Sequence, residues 1–536
     1  MKNNFIKQTA IYTAAIAVSL GAASCSKLDE KVFGSKSVVS ASAGSTDKPD
    51  LKSVYEATNV LVGQENWYAL QEHSTDELLG PTRGTDWDDF GTWRKIHLHA
   101  VDGAHNQVFN AWNGINGGLF KATLVAEKGA ATDQPAAKFL RAFLATQVMD
   151  LFGQVPYRAA ADGPDVIPAV KTRSEAFDWI LGDLNAAIAA LPSKVGKTDS
   201  RFATKQAAQF LKARLLLNKA VYKQDPKNPA GFKATDFTAA DMNEVIKLVD
   251  EITASGFTLS ANYWDNFVWD NNEKSTELIY TRGGADADKD PRHGSNINVN
   301  FATGMGTHYN QSFSGWNGFT TTADFYNSFD TVDQRRKSDI KGYTELTGMN
   351  AGFMAGQQYT YNDAKNEKNI GVKRKVLDRA SGDLVFTPDV SLFFSTESKG
   401  IRTMKYPMLY KASNNSFTGT NDYVFFRYSD ALLMKAEAIQ RGGTPTGGET
   451  ALSILNKLRT RSGAPALTAV TLNDVLAERG RELYLEGVRR PDLIRFGKYN
   501  DPVNERSAKS DGYKVVYPIP NQAVSSNPNL KQNFGY

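Results

Sequence analysis

The chain has 536 residues, with a hydrophobic fraction of 41% and a charged fraction of 22%, which are ordinary values for a globular protein with a large core. A formal net charge of +4 on so long a chain excludes the strong basic field that attracts nucleic acid. The single cysteine, Cys25, excludes a disulfide within the chain.

The N-terminus has the pattern of a secretory signal peptide, predicted over residues 1–24. A short basic start precedes an apolar run, residues 10–24, that is too short for a comfortable membrane span. Small residues lead directly to Cys25 and resemble a bacterial lipobox, although Ala22 stands where leucine is usual. We therefore predict a lipid-anchored Cys25 and a flexible, small and polar tether over residues 25–50. The alternative is a plain signal peptide with an incidental cysteine.

Helical patterns dominate the chain after the tether. Apolar residues recur at helical spacing, and several segments end at glycine or proline. Pairs of helices with short glycine-bearing turns indicate helical-hairpin packing, without a clean tetratricopeptide signature. The predicted helices are Ala136 to Phe152, Ser174 to Leu191, Thr204 to Tyr222, Ala240 to Ile252, Ser429 to Gln440, Thr450 to Arg461 and Leu472 to Leu485.

The middle of the chain has a different composition. Residues 255–420 are rich in glycine, asparagine, aspartate, threonine and aromatics, and have weak periodicity. Because such a stretch is too long for one structureless loop, we predict a packed, irregular insert with short strands. It would separate helical repeats at about 51–254 and 425–495 within a single domain, residues 51–536.

Seven segments, in matching order along the chain, resemble motifs of the SusD/RagB family. Met149 and Leu217 depart from the family pattern, which has aromatics there. The segments are Arg141 to Phe143 (RAF), Phe152 to Tyr157 (FGQVPY), Thr204 to Leu215 (TKQAAQFLKARL), Phe426 to Ala438 (FRYSDALLMKAEA), Asn456 to Gly463 (NKLRTRSG), Glu478 to Arg495 (ERGRELYLEGVRRPDLIR) and Pro518 to Tyr536 (PIPNQAVSSNPNLKQNFGY).

The resemblance implies a mainly α fold, a superhelix of degenerate tetratricopeptide-like helix pairs with a loop-rich inserted region. It also implies a surface lipoprotein of the outer membrane that captures oligosaccharide for a SusC-like TonB-dependent transporter. No cofactor, metal or catalytic residue is implied. From the residues alone, Glu478, Glu482 and Glu486 are interpreted as partners of nearby arginines on adjoining helices, and not as catalytic groups.

Two polar loops offer the chemistry that sugar recognition needs, flat aromatic faces beside planar hydrogen-bonding groups. They run from Arg83 to Trp93 and from Tyr309 to Gly318. Comparable early and middle loops hold the family's binding sites. Burial in the core is the alternative for each aromatic. The predicted glycan-binding residues are Trp87, Trp316 and Tyr309 for stacking, Arg83, Asp86 and Asn317 for hydroxyl contacts, and Trp93.

Two other functions stay open on sequence grounds. A helical-repeat scaffold would bind only the transporter or other protein partners. A glycoside hydrolase would need two carboxylates held about 5 to 10 Å apart, and no pair among the 58 acidic residues is singled out. His97, His99 and His105 could suggest a metal site, since His97 and His99 would share one strand face, but packing or surface histidines are the preferred interpretation because no cysteine or carboxylate set completes the ligands.

Overall fold

Amphipathic segments fold into helices at all seven places that the sequence predicts, with ends that differ by a few residues. The computed structural model describes residues 50–194, 200–284, 299–361, 372–411, 413 and 416–536. The predicted signal peptide and Cys25 lie outside these residues, as does the tether up to residue 49. Helices predominate over strands among the described residues, which confirms the predicted mainly α fold.

The helices fall into three groups along the chain. The N-terminal group comprises Leu51–Ala57 (α1), Trp67–Glu72 (α2), Thr92–His97 (α3), Asn106–Lys128 (α4), Gln134–Phe152 (α5), Arg173–Ala190 (α6), Lys205–Leu217 (α7), Lys219–Tyr222 (α8) and Ala239–Ala254 (α9). Four short helices follow: Asn271–Lys274 (α10), Asn300–Gly304 (α11), Ala323–Asn327 (α12) and Thr344–Thr347 (α13). The C-terminal group comprises Tyr428–Gln440 (α14), Ala451–Arg461 (α15), Leu472–Leu483 (α16), Arg489–Arg495 (α17) and Asn521–Ser526 (α18).

Threonine side chains fix the starts of several long helices. Thr172 and Glu175 form a reciprocal capping box at the start of α6, and Thr204 caps α7. The predicted helix through Tyr222 is interrupted at Asn218, whose amide Nδ2 donates to the Arg214 carbonyl at 2.8 Å. Local side-chain hydrogen bonding of this kind competes with the helix.

The longest helix, α4, is absent from the sequence prediction. Its segment contains three glycines and several asparagines, which are weak helix formers. Two of the glycines permit close packing against the N-terminal segment. A methyl group at Gly114 would lie 2.4 Å from Val60, and one at Gly118 would lie 3.1 Å from the Ala57 side chain. Tertiary packing, not propensity, therefore stabilises this helix.

Short antiparallel strand pairs lie mostly in the irregular middle of the chain, and one pair, within residues 154–172, precedes it. The strands in chain order are Gln154–Tyr157 (β1), Ala169–Thr172 (β2), Leu278–Arg282 (β3), Lys337–Ser338 (β4), Ala351–Met354 (β5), Gly356–Gln357 (β6), Tyr359–Thr360 (β7), Arg374–Lys375 (β8), Val385–Phe386 (β9), Arg402–Met404 (β10), Leu409–Lys411 (β11), Ser416–Thr418 (β12) and Tyr423–Arg427 (β13). The pairs are β1–β2, β3–β13, β6–β9, β7–β8 and β11–β12, and the order β10–β5–β4 forms a three-stranded sheet. Strand β13 leads directly into α14 and so connects this region to the C-terminal helices.

A buried ion network joins the C-terminal helices to the middle of the chain. Glu482 on α16 accepts from Arg461 at 2.5 Å, from Arg427 at 2.7 Å and from Arg335 at 2.9 Å. Burial alone would raise the pKa of Glu482, but the three guanidinium groups outweigh it and hold the pKa well below its usual range. Two of these arginines extend the network, Arg335 to Glu478 and Arg427 to Glu486.

Two other buried carboxyl groups, Glu72 and Glu77, have pKa values shifted in the opposite direction, upward. Glu72 accepts from the backbone NH of Gly487 at 2.7 Å, and Glu77 accepts from that of Leu485 at 3.1 Å. Burial raises the pKa of Glu72 to about 7, and burial together with the Glu72 charge raises the pKa of Glu77. At neutral pH and below, the folded state therefore favours a protonated carboxyl here.

None of the helices in the described ranges is both long enough and apolar enough to cross a membrane.

We expect Glu482→Gln to lower the free energy of unfolding by about 3–5 kcal/mol, because it leaves buried guanidinium groups without a counter-charge. Urea denaturation followed by circular dichroism measures this change. The matched control is Glu244→Gln on α9, where Glu244 pairs with Lys212 and Lys247 in a more exposed setting. That change should cost less than about 1 kcal/mol. Equal losses in both variants would contradict the structural role of the network.

We expect Glu72→Gln to change how stability depends on pH. The folded-state pKa of Glu72 lies above its ordinary value of 4.5, so the folded state binds this proton more tightly than the unfolded state does. The contribution of this proton to the free energy of unfolding is therefore lost as pH rises from about 4.5 to 7. Stability of the native protein relative to the variant should therefore fall by on the order of 2 kcal/mol across this window. Parallel stability curves from pH 4 to 8 would refute the raised pKa.

Candidate functional site

The two predicted loops meet at one surface, and a third segment joins them. Leu79 and Thr320 exchange backbone hydrogen bonds of 2.9 and 3.0 Å, which brings residues 79–93 beside residues 304–320. The backbone NH of Thr82 donates to the Leu392 carbonyl at 3.0 Å. Three stretches that are far apart in sequence therefore build one site.

Arg83 holds this junction together from below. Its guanidinium donates to the carbonyls of Gly318 at 3.3 Å, Thr396 at 2.5 Å and Lys399 at 2.9 Å. The side chain is buried, and burial lowers the pKa of Arg83 to about 9. Its donors are used by backbone carbonyls of the other two segments, so the hydroxyl contact predicted for Arg83 is corrected to a structural tie.

Asn317 and Trp93 are also beneath the surface. Asn317 accepts from the buried guanidinium of Arg402 at 2.8 Å, and the Trp93 indole NH donates to Asp89 at 2.7 Å. Both side chains are at least 97% buried. The direct glycan contacts predicted for Asn317 and Trp93 are therefore corrected as well, because neither side chain reaches the surface.

The remaining predicted aromatics form an exposed layer, here named the aromatic ledge: Trp87, Tyr309 and Trp316. Trp316 has 47% of its surface exposed, and the other two are half-buried. The Trp87 indole NH donates to the Trp316 carbonyl at 3.0 Å. The Trp87 ring packs on Phe319, with centroids 5.3 Å apart. The ledge is thus an outer aromatic layer on an aromatic core.

Backbone strain concentrates at this site. Trp87, Asp89, Phe90 and Asn317 have φ between 40° and 62°, and they are four of the nine non-glycine residues with positive φ in the part of the chain that the structure describes. Left-handed backbone is unfavourable for bulky side chains and costs about 1–3 kcal/mol for each residue. Such strain persists only where surrounding contacts fix the backbone, and it is typical of functional sites.

A polar cluster borders the ledge. The Tyr309 hydroxyl donates to Asp86 at 3.2 Å, and the Arg379 guanidinium lies 4.8 Å from the Tyr309 ring centre. Arg379 pairs with Asp86 at 3.3 Å and with Glu397, and it is more than half exposed. The cluster supplies charged donors and acceptors at the edge of aromatic faces, which is the combination that orients a polyhydroxylated ligand.

Arg379 and Glu397 were not predicted from the sequence. Both lie in the predicted irregular insert, where no periodicity indicates which side chains face the loops. Their role follows from the fold alone, since backbone bonds bring residues 377–402 beside Thr82.

The electrostatics of the cluster do not favour proton donation. Burial acts to raise the pKa of Glu397, but hydrogen bonds from Arg379 and His308 outweigh it, and the pKa lies below its ordinary value. A general acid of a glycoside hydrolase needs the opposite shift.

The histidines considered as metal ligands are structural. Both ring nitrogens of His97 lie near backbone carbonyls, those of His73 at 3.1 Å and Asn504 at 2.8 Å. The ring nitrogens of His99 lie 2.8 Å from the Ser510 hydroxyl and from the Ser74 carbonyl. No cluster of three or more potential metal ligands occurs in the ranges that the structure describes.

A groove of about 450 Å³ lies elsewhere, between α9 and residues 444–446. It has no aromatic lining residue, and the carboxylate of Asp250 within it already accepts from Lys435 and Thr446 at 2.6 Å each. The groove therefore offers a sugar neither an aromatic face nor a free Asp250 carboxylate.

Comparison with known proteins matches the chain to one family. The model of the SusD family matches residues 269–536, which include Tyr309, Trp316, Arg379 and Glu397. The chain is 26% identical over 439 residues to the starch-binding protein SusD of Bacteroides thetaiotaomicron, covering 74% of this chain and 72% of that protein.

Solved structures share the fold. A SusD superfamily protein from Parabacteroides distasonis superposes with a TM-score of 0.65 at 18% identity, covering 91% of this chain and 98% of the other. Surface glycan-binding protein A from Bacteroides thetaiotaomicron, solved in complex with laminarihexaose, gives a TM-score of 0.60 at 18% identity and covers 90% and 98%. At these identities the likeness shows the fold alone.

We expect Gly318→Ala to disturb the ledge specifically. A methyl group there would lie 2.5 Å from Trp87 Cζ2, so the indole must move. The overpacking should cost about 1–3 kcal/mol in urea denaturation and change the near-ultraviolet circular dichroism.

The matched control for this variant is Gly182→Ala in α6, where no atom beyond the adjacent residues and the helix's own backbone lies within 4 Å of the added methyl group. It should leave stability unchanged or raise it by up to about 1 kcal/mol. An unaltered Gly318→Ala spectrum and stability would show that Trp87 does not pack on Gly318.

Proposed function

The chain belongs to the SusD family, and on this premise we propose that it binds an oligosaccharide or polysaccharide on the aromatic ledge, at the cell surface, as a binding protein and not as an enzyme. Two similar proteins support this proposal, since one is a starch-binding protein and another was solved in complex with laminarihexaose.

The observation that carries the proposal is the exposed Trp316 indole beside the polar cluster. A tryptophan with 47% of its surface exposed forgoes burial that would stabilise the fold. The backbone at Trp87 and Asn317 is strained, and the contacts of the buried Arg83 and Arg402 beneath the loops hold it in this arrangement. Aromatic rings that are held in a fixed, strained loop indicate a binding surface that is already formed before the ligand binds.

The proposed roles follow from exposure and chemistry. Trp316 and Trp87 stack on the apolar faces of sugar rings, and Tyr309 contributes its edge, because the Arg379 guanidinium lies over its ring. The carboxylate of Asp86, 38% exposed, accepts from sugar hydroxyls, and Arg379 donates to them. Burial and the Asp86 carboxylate raise the pKa of Tyr309, so its hydroxyl remains a donor at neutral pH.

We further propose that the protein delivers glycan to a SusC-like TonB-dependent transporter and is anchored to the outer membrane through lipid on Cys25. Support comes from the resemblance of the N-terminus to a lipoprotein signal and from family membership. A single domain over residues 51–536, carried on the tether of residues 25–50, would then place the ledge outside the cell.

The test is retardation of the soluble protein, residues 26–536, in native gels that contain starch, laminarin, fructan or xylan. We expect one glycan to retard the protein, and Trp316→Ala and Trp87→Ala to weaken binding at least tenfold, about 1.4 kcal/mol. Chromatography of the glycan after incubation should show no shorter products.

The control is Trp179→Ala on α6, which truncates a half-buried tryptophan that packs with Tyr157 and Arg141. It should bind glycan as the native protein does. Binding that survives both ledge variants would place the site elsewhere. Shorter products would favour the hydrolase function, and a protein that binds a transporter but no glycan would favour the scaffold function.

A further inference from the structure

Three phenylalanines beside the ledge are exposed to solvent, and we name them the phenylalanine patch: Phe90, Phe393 and Phe394. Their exposed fractions are 97%, 45% and 83%, and the centroids of the Phe393 and Phe394 rings are 6.4 Å apart. Single exposed apolar residues are common, but adjacent exposed aromatics indicate a binding surface.

The segment that carries Phe393 and Phe394 is held in place. The backbone NH of Thr82 donates to the Leu392 carbonyl at 3.0 Å, and the Thr82 carbonyl accepts from the NH of Ser395 at 2.9 Å. The NH of Leu392 donates to the Glu505 carboxylate at 2.7 Å. The two rings therefore project from a fixed turn.

Arg94 connects the two halves of the patch. Its guanidinium lies 5.5 Å from the Phe393 ring centre, pairs with Asp88 at 2.5 Å and donates to the Thr82 hydroxyl. One cation thereby contacts the turn with Phe393 and the loop with Phe90.

Phe90 is displayed at a cost to the fold. It has φ of 54° within the 3₁₀ turn Asp89–Gly91, while almost all of its surface is in water. Neither the left-handed backbone nor the exposed ring stabilises the protein. A ligand that contacts the ring would offset both costs.

The patch and the ledge are connected through a shared loop and through Arg83. Phe90 lies three residues after Trp87 in the same loop. Arg83 bonds to Gly318 beneath the ledge and to Thr396 beside the patch. The two surfaces thus share one rigid base.

From this geometry we infer that the phenylalanine patch is a second contact surface for the same glycan, which gives the protein a preference for long chains. This inference rests on the proposed function. The exposed side chains of Asp88 and Asp89 border Phe90 and can accept from hydroxyls. The three rings expose on the order of 450 Å², taking about 200 Å² for a whole ring, which is below the roughly 800 Å² per partner of a stable protein interface.

With two contact surfaces, the affinity of the protein for a glycan depends on the length of the glycan. A short oligosaccharide can occupy the ledge alone, whereas a longer chain contacts both surfaces at once. Contact with the second surface is then intramolecular and increases affinity without any change at the first.

The experiment compares titration calorimetry of a polysaccharide and its trisaccharide, with the pair chosen by the gel panel: soluble starch and maltotriose, laminarin and laminaritriose, or the corresponding fructan or xylan pair. We expect the native protein to bind the polysaccharide, per chain, at least tenfold more tightly than the trisaccharide. Phe90→Ala/Phe394→Ala should abolish most of this difference while trisaccharide affinity changes less than twofold.

Phe534→Ala is the matched control, since Phe534 is 57% exposed and packs beside Tyr513 in the C-terminal segment. It should keep the native preference. If the double variant retains the preference while Trp316→Ala loses binding, the inference is overturned and the proposed function stands. A patch that serves a protein partner would give that same result. If no polysaccharide binds the native protein, both fail. Urea denaturation checks that each variant is folded.

Discussion

Buried charge is the constraint on which the arrangement of this protein depends. Glu482 on α16 has no contact with solvent and meets three arginines, which come from α15, from the end of β13 and from residue 335 in the middle of the chain. Removing such charges from water costs several kcal/mol for each ion, and the cost is offset only when every partner is in place. The irregular middle region therefore has few ways to dock on the C-terminal helices. Mismatched docking would leave buried ions unpaired, whereas apolar contacts tolerate small shifts.

Buried charged groups also fix the structure of the candidate site. Arg83 and Arg402 are buried beneath the loops, and their guanidinium donors meet carbonyl oxygens, with the Asn317 side chain as an additional acceptor for Arg402. Loop backbone that packs inside a protein must have its carbonyls satisfied, and a rigid guanidinium can serve several at once. These two arginines thus perform for the loops what backbone ladders perform for helices and strands. They fix three distant stretches of chain with side-chain donors, at the cost of two buried cations.

The sequence predicted the helices well and the site only in part, for physical reasons. Helices such as α5 and α9 have apolar periodicity that belongs to their own residues, but α4 depends on glycine contacts with a neighbouring segment that no local pattern shows. The two predicted loops do meet, yet Arg83 and Asn317 point inward. Polarity indicates that a loop lies near the surface, but it does not show which polar side chains form hydrogen bonds inside the protein and which face solvent. Arg379 and Phe394 were not identified, because their position depends on how the insert folds.

The loop that carries Trp87 and Phe90 combines a strained backbone with arginine contacts that hold it in place. The left-handed residues Trp87 and Phe90 would relax if their loop were free, so the contacts of Arg83 and Arg94 must hold the loop against its own preference. A surface fixed in this way loses little conformational entropy when a ligand binds. Affinity can then come from modest contacts, since stacking on an exposed ring and bonds to hydroxyls already bonded to water contribute little each. In the proposed binding mode, a glycan chain that covers both aromatic surfaces would offset the stability lost in the free protein, and strain and exposed aromatics would then occur together in one loop for that reason.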